Sequence, residues 1–195
     1  WDTSKVDMFG FSGGAQFAHR FALVHPQRVR RLVLGAAGWY TMPDDTLPYP
    51  FGTGDASGLD AVRLNTVAAA RLPTLVLVGE CDDRADDEEL NRSQRVCGSQ
   101  GDTRLRRARN WTRAMNGFAA RRGEPEQVSL VTLPGVDHSF RDAVIEGGLA
   151  AHVFRHCYAA PAPTRLRLPS DTESANSYAG MSRVSFNMEP STNHE

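Results

Sequence analysis

Val6-Asp7-Met8-Phe9-Gly10-Phe11-Ser12-Gly13-Gly14-Ala15-Gln16-Phe17, or VDMFGFSGGAQF, sets a serine among glycines, straight after a short apolar run and straight before a helix-like one. A serine that attacks a carbonyl needs a turn tight enough to project its hydroxyl clear of the backbone, and glycines two before and two after relieve the crowding there. Gly10-Phe11-Ser12-Gly13-Gly14 has this G-x-S-x-G form. With 17 glycines in 195 residues, the pentapeptide alone arises by chance about one time in ten, so its surroundings decide. Val6, Met8 and Phe9 read as a buried strand, and Phe17, Phe21 and Val24 with Ala18 and Ala22 recur at helical spacing up to His25-Pro26. Strand, turn and helix in that order make Ser12 a candidate nucleophile; the competing reading is an ordinary strand-to-helix turn.

Working outward, four short apolar runs have the character of strands buried on both faces: Val6–Phe9, Arg31–Leu34 continuing into Gly35-Ala36-Ala37, Leu75–Val78 and Val128–Leu133. Helical patterns follow them at Gly13–His25, weakly around Leu59–Arg71, at about Asp102–Arg122 and from Arg141 to about Tyr158. In the third, Leu105, Ala108, Trp111, Met115, Phe118 and Ala119 form one stripe. Strands and helices alternating at this spacing predict an α/β fold with a mostly parallel sheet and flanking helices. The segment Arg104-Leu105-Arg106-Arg107-Ala108-Arg109 reads as the solvated face of the third helix. Residues 1–158 form the expected domain, and 159–195, rich in Ser, Asn, Thr and Glu without periodicity, read as a disordered tail.

A net charge of −1 leaves no electrostatic footprint for nucleic acid. No apolar run approaches the ~20 residues of a membrane span. Cys81, Cys97 and Cys157 lack metal spacing and are odd in number, so they read as ordinary buried or half-buried thiols. Small neutral partners are favoured, with no metal or organic cofactor; oligomeric state and compartment are not legible.

A serine hydroxyl needs an imidazole to take its proton and a carboxylate to orient that imidazole. In an open parallel sheet such groups gather beyond the carboxyl ends of strands. Leu75–Val78 runs into Gly79-Glu80-Cys81-Asp82-Asp83, and Val128–Leu133 runs into Pro134-Gly135-Val136-Asp137-His138-Ser139. Asp82 and Asp83 point opposite ways in an extended segment, so one of them at most reaches His138. His19, His25, His152, His156 and His194 stand at no strand end and read as surface or packing residues. The loop from Gly38 to Gly52 is rich in proline, glycine and aromatic rings; it either covers a pocket or packs its rings on the domain surface. Phe11, beside the serine, and Trp39 and Tyr40 of that loop are the candidate substrate contacts.

The three turns, in the order Ser, Asp, His, resemble those of the α/β-hydrolases, from Val6 to about Tyr158. Within that superfamily the chain resembles esterase-like members related to polyhydroxyalkanoate depolymerases. The resemblance implies a catalytic triad of Ser12 as nucleophile, Asp82 as acid, favoured over Asp83 by its place three residues past Gly79, and His138 as base. It also implies that the Gly13 N–H forms part of an oxyanion hole. The implied activity is hydrolysis of a small-molecule carboxylic ester through an acyl-enzyme. A peptidase or amidase would use the same triad, and a non-catalytic binding protein on this fold is the rival from another class.

In that family the elbow follows the fifth of about eight strands, which is where this chain starts. Two expectations follow: that Val6–Phe9, of interior character, lies at a sheet edge, and that the loop giving the second oxyanion donor is missing. Losing one donor costs about 3–4 kcal/mol of transition-state stabilisation, so this chain alone is expected to be weakly active or aggregation-prone.

Overall fold

The computed structural model describes residues 4–56 and 62–158. Four strands, β1 (Val6–Phe11), β2 (Val29–Gly35), β3 (Thr74–Gly79) and β4 (Val128–Leu133), form one sheet in the order β1-β2-β3-β4, every neighbouring pair parallel. The helices are α1 (Gly13–Val24), α2 (Thr66–Ala70), α3 (Gln94–Gln100), α4 (Arg104–Ala120), α5 (Phe140–Ile145) and α6 (Leu149–Tyr158), with a 3-10 turn at Pro26–Arg28. This is a partial α/β-hydrolase fold.

Parallel pairing explains why β2 and β3 are nearly continuous apolar runs: helices cover both faces, so both sets of alternating side chains are buried. Leu32 and Leu34 of β2 and Val76 and Val78 of β3 face one cluster with Ala15, Ala18 and Ala22 of α1 and Leu105, Trp111 and Met115 of α4. Val33, Leu75 and Leu77 face the other with Ala143 of α5 and Leu149 and Cys157 of α6. β1 has a single partner within the described sheet and leaves Val6 and Phe9 exposed.

Each predicted strand is present, β1 reaching Phe11 and β2 starting at Val29. The helix expected from Arg141 to Tyr158 is instead two, divided at Gly147-Gly148, where Gly148 adopts φ 64°. The weak segment at Leu59–Arg71 yields only α2, started by Asn65, whose side chain accepts the Ala68 N–H at 3.0 Å; part of it and the expected tail lie outside the described residues. α3 is an element the sequence reading did not contain.

The solvated reading of the 104–109 arginines holds only for Arg106 and Arg109. Arg104 and Arg107 are buried. Arg107 donates to the carbonyls of Gly101 (2.8 Å), Gly38 (2.6 Å) and Asn91 (2.7 Å), tying the start of α4 to two loops. A buried guanidinium is tolerable because its donors are satisfied in this way. Cys81 also departs from expectation, being exposed.

Candidate active site

β1 delivers Ser12 into a left-handed backbone conformation, φ 51° and ψ −115°, costly for any residue with a Cβ. The conformation is held from both sides. The Ser12 N–H donates to Gly35 O at 2.8 Å, and Ser12 O accepts from Ala15 N and Gln16 N at 3.1 Å each, starting α1. The turn folds β1 back against the helix so closely that a Cβ on Gly10 would stand 2.3 Å from Gly14 O. Gly14 itself is unlike Gly10: a Cβ there would meet nothing within 4 Å. The steric demand for glycine is therefore one-sided, which the symmetry of the motif does not reveal.

The other two groups come from turns locked to each other. Glu80 N–H donates to Leu133 O and Cys81 N–H to Val136 O, each at 2.9 Å, so the turn after β3 is stitched to the turn after β4. Gly79 permits the approach, since a Cβ there would lie 2.2 Å from Val136 O. Asp82, nearly inaccessible, is thus set opposite His138. His138 Nδ1 lies 2.8 Å from Asp82 Oδ2, and His138 Nε2 lies 3.1 Å from Ser12 Oγ. Hydroxyl, imidazole and carboxylate form one hydrogen-bonded chain across residues from three turns. Asp83 is exposed, and Asp137 accepts the His138 backbone N–H at 2.6 Å while pairing with Arg84 at 3.5 Å.

Phe11 packs its ring on His138, with centroids 5.6 Å apart and planes at 24°, and meets Phe140 edge-on at 5.2 Å. Gly35 makes room for it: a Cβ there would be 2.7 Å from the Phe11 ring. Trp39 is half-buried beneath the Arg20 guanidinium, 4.2 Å from the ring centre, and beside Phe51 at 5.4 Å. Tyr40 corrects the sequence reading. It is fully buried, stacked on Trp111 at 4.9 Å, with its backbone N–H and C=O both bonded to the Gln100 side chain at 2.7 Å. It is a core residue, because α4 offers a ring-sized partner that the local sequence around Tyr40 does not show.

Gly13 is exposed at the start of α1, where the first N–H groups of a helix have no intrahelical partner. From it a groove of about 490 Å³ runs along Gln16, Phe17, Arg20 and Phe21 to Tyr49. A second cleft of about 400 Å³ is lined by His138, Arg84, Asp86, Asp87, Glu88 and Glu89. A larger cleft of about 850 Å³, near Met42, Leu47, Val67 and Phe118, includes none of Ser12, Asp82 or His138. Among the described residues no group of three or more His, Cys, Asp or Glu could hold a metal ion, and no helix is long and apolar enough to cross a membrane.

Sequence reasoning missed Arg104. Its Nη1 stands 2.6 Å from Asp87 Oδ2 and 3.4 Å from Asp82 Oδ1. The Arg104 guanidinium holds the Asp87 carboxyl below its ordinary pKa. One signal was available. The first turn of α4 holds Arg104, Arg106 and Arg107 and no acid, although a helix N-terminus repels cations; arginines there imply particular partners.

Sheet, serine turn and stitched turns together define the class, an α/β-hydrolase-type domain. No protein-family model matches the sequence, and no curated protein does. Solved structures are similar, two of them as follows. Poly(aspartic acid) hydrolase-1 from Sphingomonas sp. KT-1 is 29% identical with a TM-score of 0.62, over 76% of this chain and 53% of that one. LpqC, the poly(3-hydroxybutyrate) depolymerase from Bordetella parapertussis, is 28% identical with a TM-score of 0.62, over 83% of this chain and 52% of that one. The chain therefore spans about half the length of each.

Proposed function

We propose that the protein is a serine hydrolase that cleaves carboxylic esters through an acyl-enzyme. The observation that carries this reading is the chain Ser12 Oγ–His138 Nε2–His138 Nδ1–Asp82, with separations of 3.1 and 2.8 Å. Both distances lie within reach for proton transfer and for orientation of the base. Ser12 Oγ attacks the carbonyl carbon as its proton passes to Nε2, and Asp82, buried against Nδ1, stabilises the imidazolium. The Gly13 N–H donates to the developing oxyanion. The imidazolium then protonates the departing alkoxide, leaving an ester on Ser12. Water, deprotonated by His138, attacks that ester and releases the acid.

The two similar proteins act, by name, on a polyester and on a polyanion. The cleft beside His138 favours the first kind of substrate. Asp86, Asp87, Glu88 and Glu89 would repel a chain of carboxylates, whereas the groove beside Gly13 offers Phe17, Phe21 and Tyr49 to an uncharged acyl or alkyl portion. In the full chain, Ser12 should label with a fluorophosphonate and Ser12→Ala should lose about 10⁴-fold or more in hydrolysis of a short p-nitrophenyl ester. Full turnover in Ser12→Ala would refute the reading. Poly(aspartic acid) cleaved faster than a neutral oligoester would refute the substrate preference alone.

A further inference from the structure

We propose that Arg104 is a positioning residue which, shared between Asp82 and Asp87, fixes the Asp82 carboxylate and sets the proton affinity of His138. The inference rests on the reading of His138 as the base, and its test is built to fail separately from that reading.

The Asp82 carboxylate has two oxygens with different partners. Oδ2 faces His138 Nδ1 at 2.8 Å, and Oδ1 faces Arg104 Nη1 at 3.4 Å. The same nitrogen lies closer to Asp87 Oδ2, at 2.6 Å. The guanidinium is almost wholly buried and Asp87 only slightly accessible, so solvent screens these charges little. The backbone holds the same geometry, because Leu105 N–H at the start of α4 donates to Asp82 O at 3.1 Å. A cation behind Asp82 weakens the pull of that carboxylate on a proton at His138. Asp87, drawing the cation toward itself and lining the cleft with His138, works the other way.

Other charges face His138 as well. Asp137 adjoins it and pairs with Arg84; Asp86, Glu88 and Glu89 line the cleft; on α5, Arg141 and Asp142 pair with each other at 3.6 Å. Arg104 differs from all of these in being a buried cation against the very carboxylate that holds the ring.

The test is the NMR titration of the His138 Cε1–H signal in the full chain on a Ser12→Ala background, the signal being assigned by its loss in His138→Asn. Arg104→Met should raise the His138 midpoint by about 0.5–1 pH unit, and Asp87→Asn should lower it by a similar or smaller amount. The double variant should return to within about 0.3 unit of the parent. A purely structural arginine predicts the opposite sign for Arg104→Met, because an Asp82 set loose would hold the imidazolium less well. Shifts of the same sign in the two single variants, or an unmoved midpoint in Asp87→Asn, would overturn the proposal. If Arg104→Met does not fold, Arg104→Lys, which keeps the charge, should titrate like the parent while Asp87→Asn still shifts downward. None of these readouts requires turnover, so failure of the acyl-enzyme reading would leave the titrations interpretable. In chains retaining Ser12, the acidic limb of the kcat/KM profile should move with the NMR midpoint.

Discussion

His19 and His138 each have both ring nitrogens in hydrogen-bonding range of a partner, yet the partners make them opposite devices. His19, on α1, has Nδ1 at 2.9 Å from Ala15 O and Nε2 at 2.9 Å from the Thr41 N–H, and it packs against Tyr40 and Trp111. A carbonyl on one side and an N–H on the other suit a neutral ring with its proton on Nδ1. Burial, the leading cause, pushes its pKa down to about 3. His138 faces a carboxylate on one side and a hydroxyl on the other. Its neighbours can accept and return a proton, whereas those of His19 cannot. An imidazole becomes a proton carrier or a bracket according to what its two nitrogens meet.

The widest separation should appear in activity. Under the proposed mechanism, His138→Gln lowers kcat/KM by about 10⁴-fold with little change in stability. His19→Gln should do the reverse, costing about 1–3 kcal/mol by disturbing the acceptor for Thr41 N–H and leaving kcat/KM of the folded protein within a few-fold. Urea denaturation beside ester hydrolysis measures both. A His19→Gln chain that is stable but inert would erase the distinction.

Acid should separate them next. His19 titrates near 6.5 when unfolded and near 3 when folded, so the unfolded chain binds the extra proton as pH falls. The stability this residue contributes is fully present above about pH 6.5 and is lost progressively down to about pH 3, amounting to on the order of 4 kcal/mol. Unfolding free energies at a series of pH values should therefore fall more steeply between pH 6 and 4 for the parent than for His19→Gln. Parallel slopes would show that the ring takes up its proton without unfolding.

The same contrast explains what could be read from the sequence. β2 and β3 were legible because burial on both faces demands unbroken apolar runs, and His138 because a histidine just past a strand end stands where such sheets gather reactive groups. Tyr40 was misread and Arg104 missed for one shared reason: the partner of each comes from far along the chain. Tyr40 pairs with Trp111, and Arg104 with Asp82 and Asp87. Local periodicity gives the stripe of a helix, Leu105 to Ala119, but not which of its polar neighbours the rest of the fold will enclose. α3 escaped because Gln94–Gln100 is a helix of only seven residues containing glycine, too short for a period to show.

The two histidines are also placed by different backbone devices, and glycine substitution tells them apart with the smallest effects. His19 rides a regular helix, about two turns from Ser12, whereas His138 depends on two turns packed backbone to backbone at Gly79. Gly79→Ala, with its Cβ 2.2 Å from Val136 O, should cost about 2–3 kcal/mol of stability and lower activity by spreading Asp82 from His138. Gly14→Ala should do neither, although its glycine belongs to the elbow motif. A Cβ at Gly14 meets open space on a helical backbone, so removing the freedom of glycine in the unfolded chain should stabilise the protein by about 0.4–1 kcal/mol, with ester hydrolysis unchanged. If Gly14→Ala instead destabilises the chain as much as Gly79→Ala does, the elbow is crowded on both sides of Ser12 and the one-sided account of its glycines is wrong.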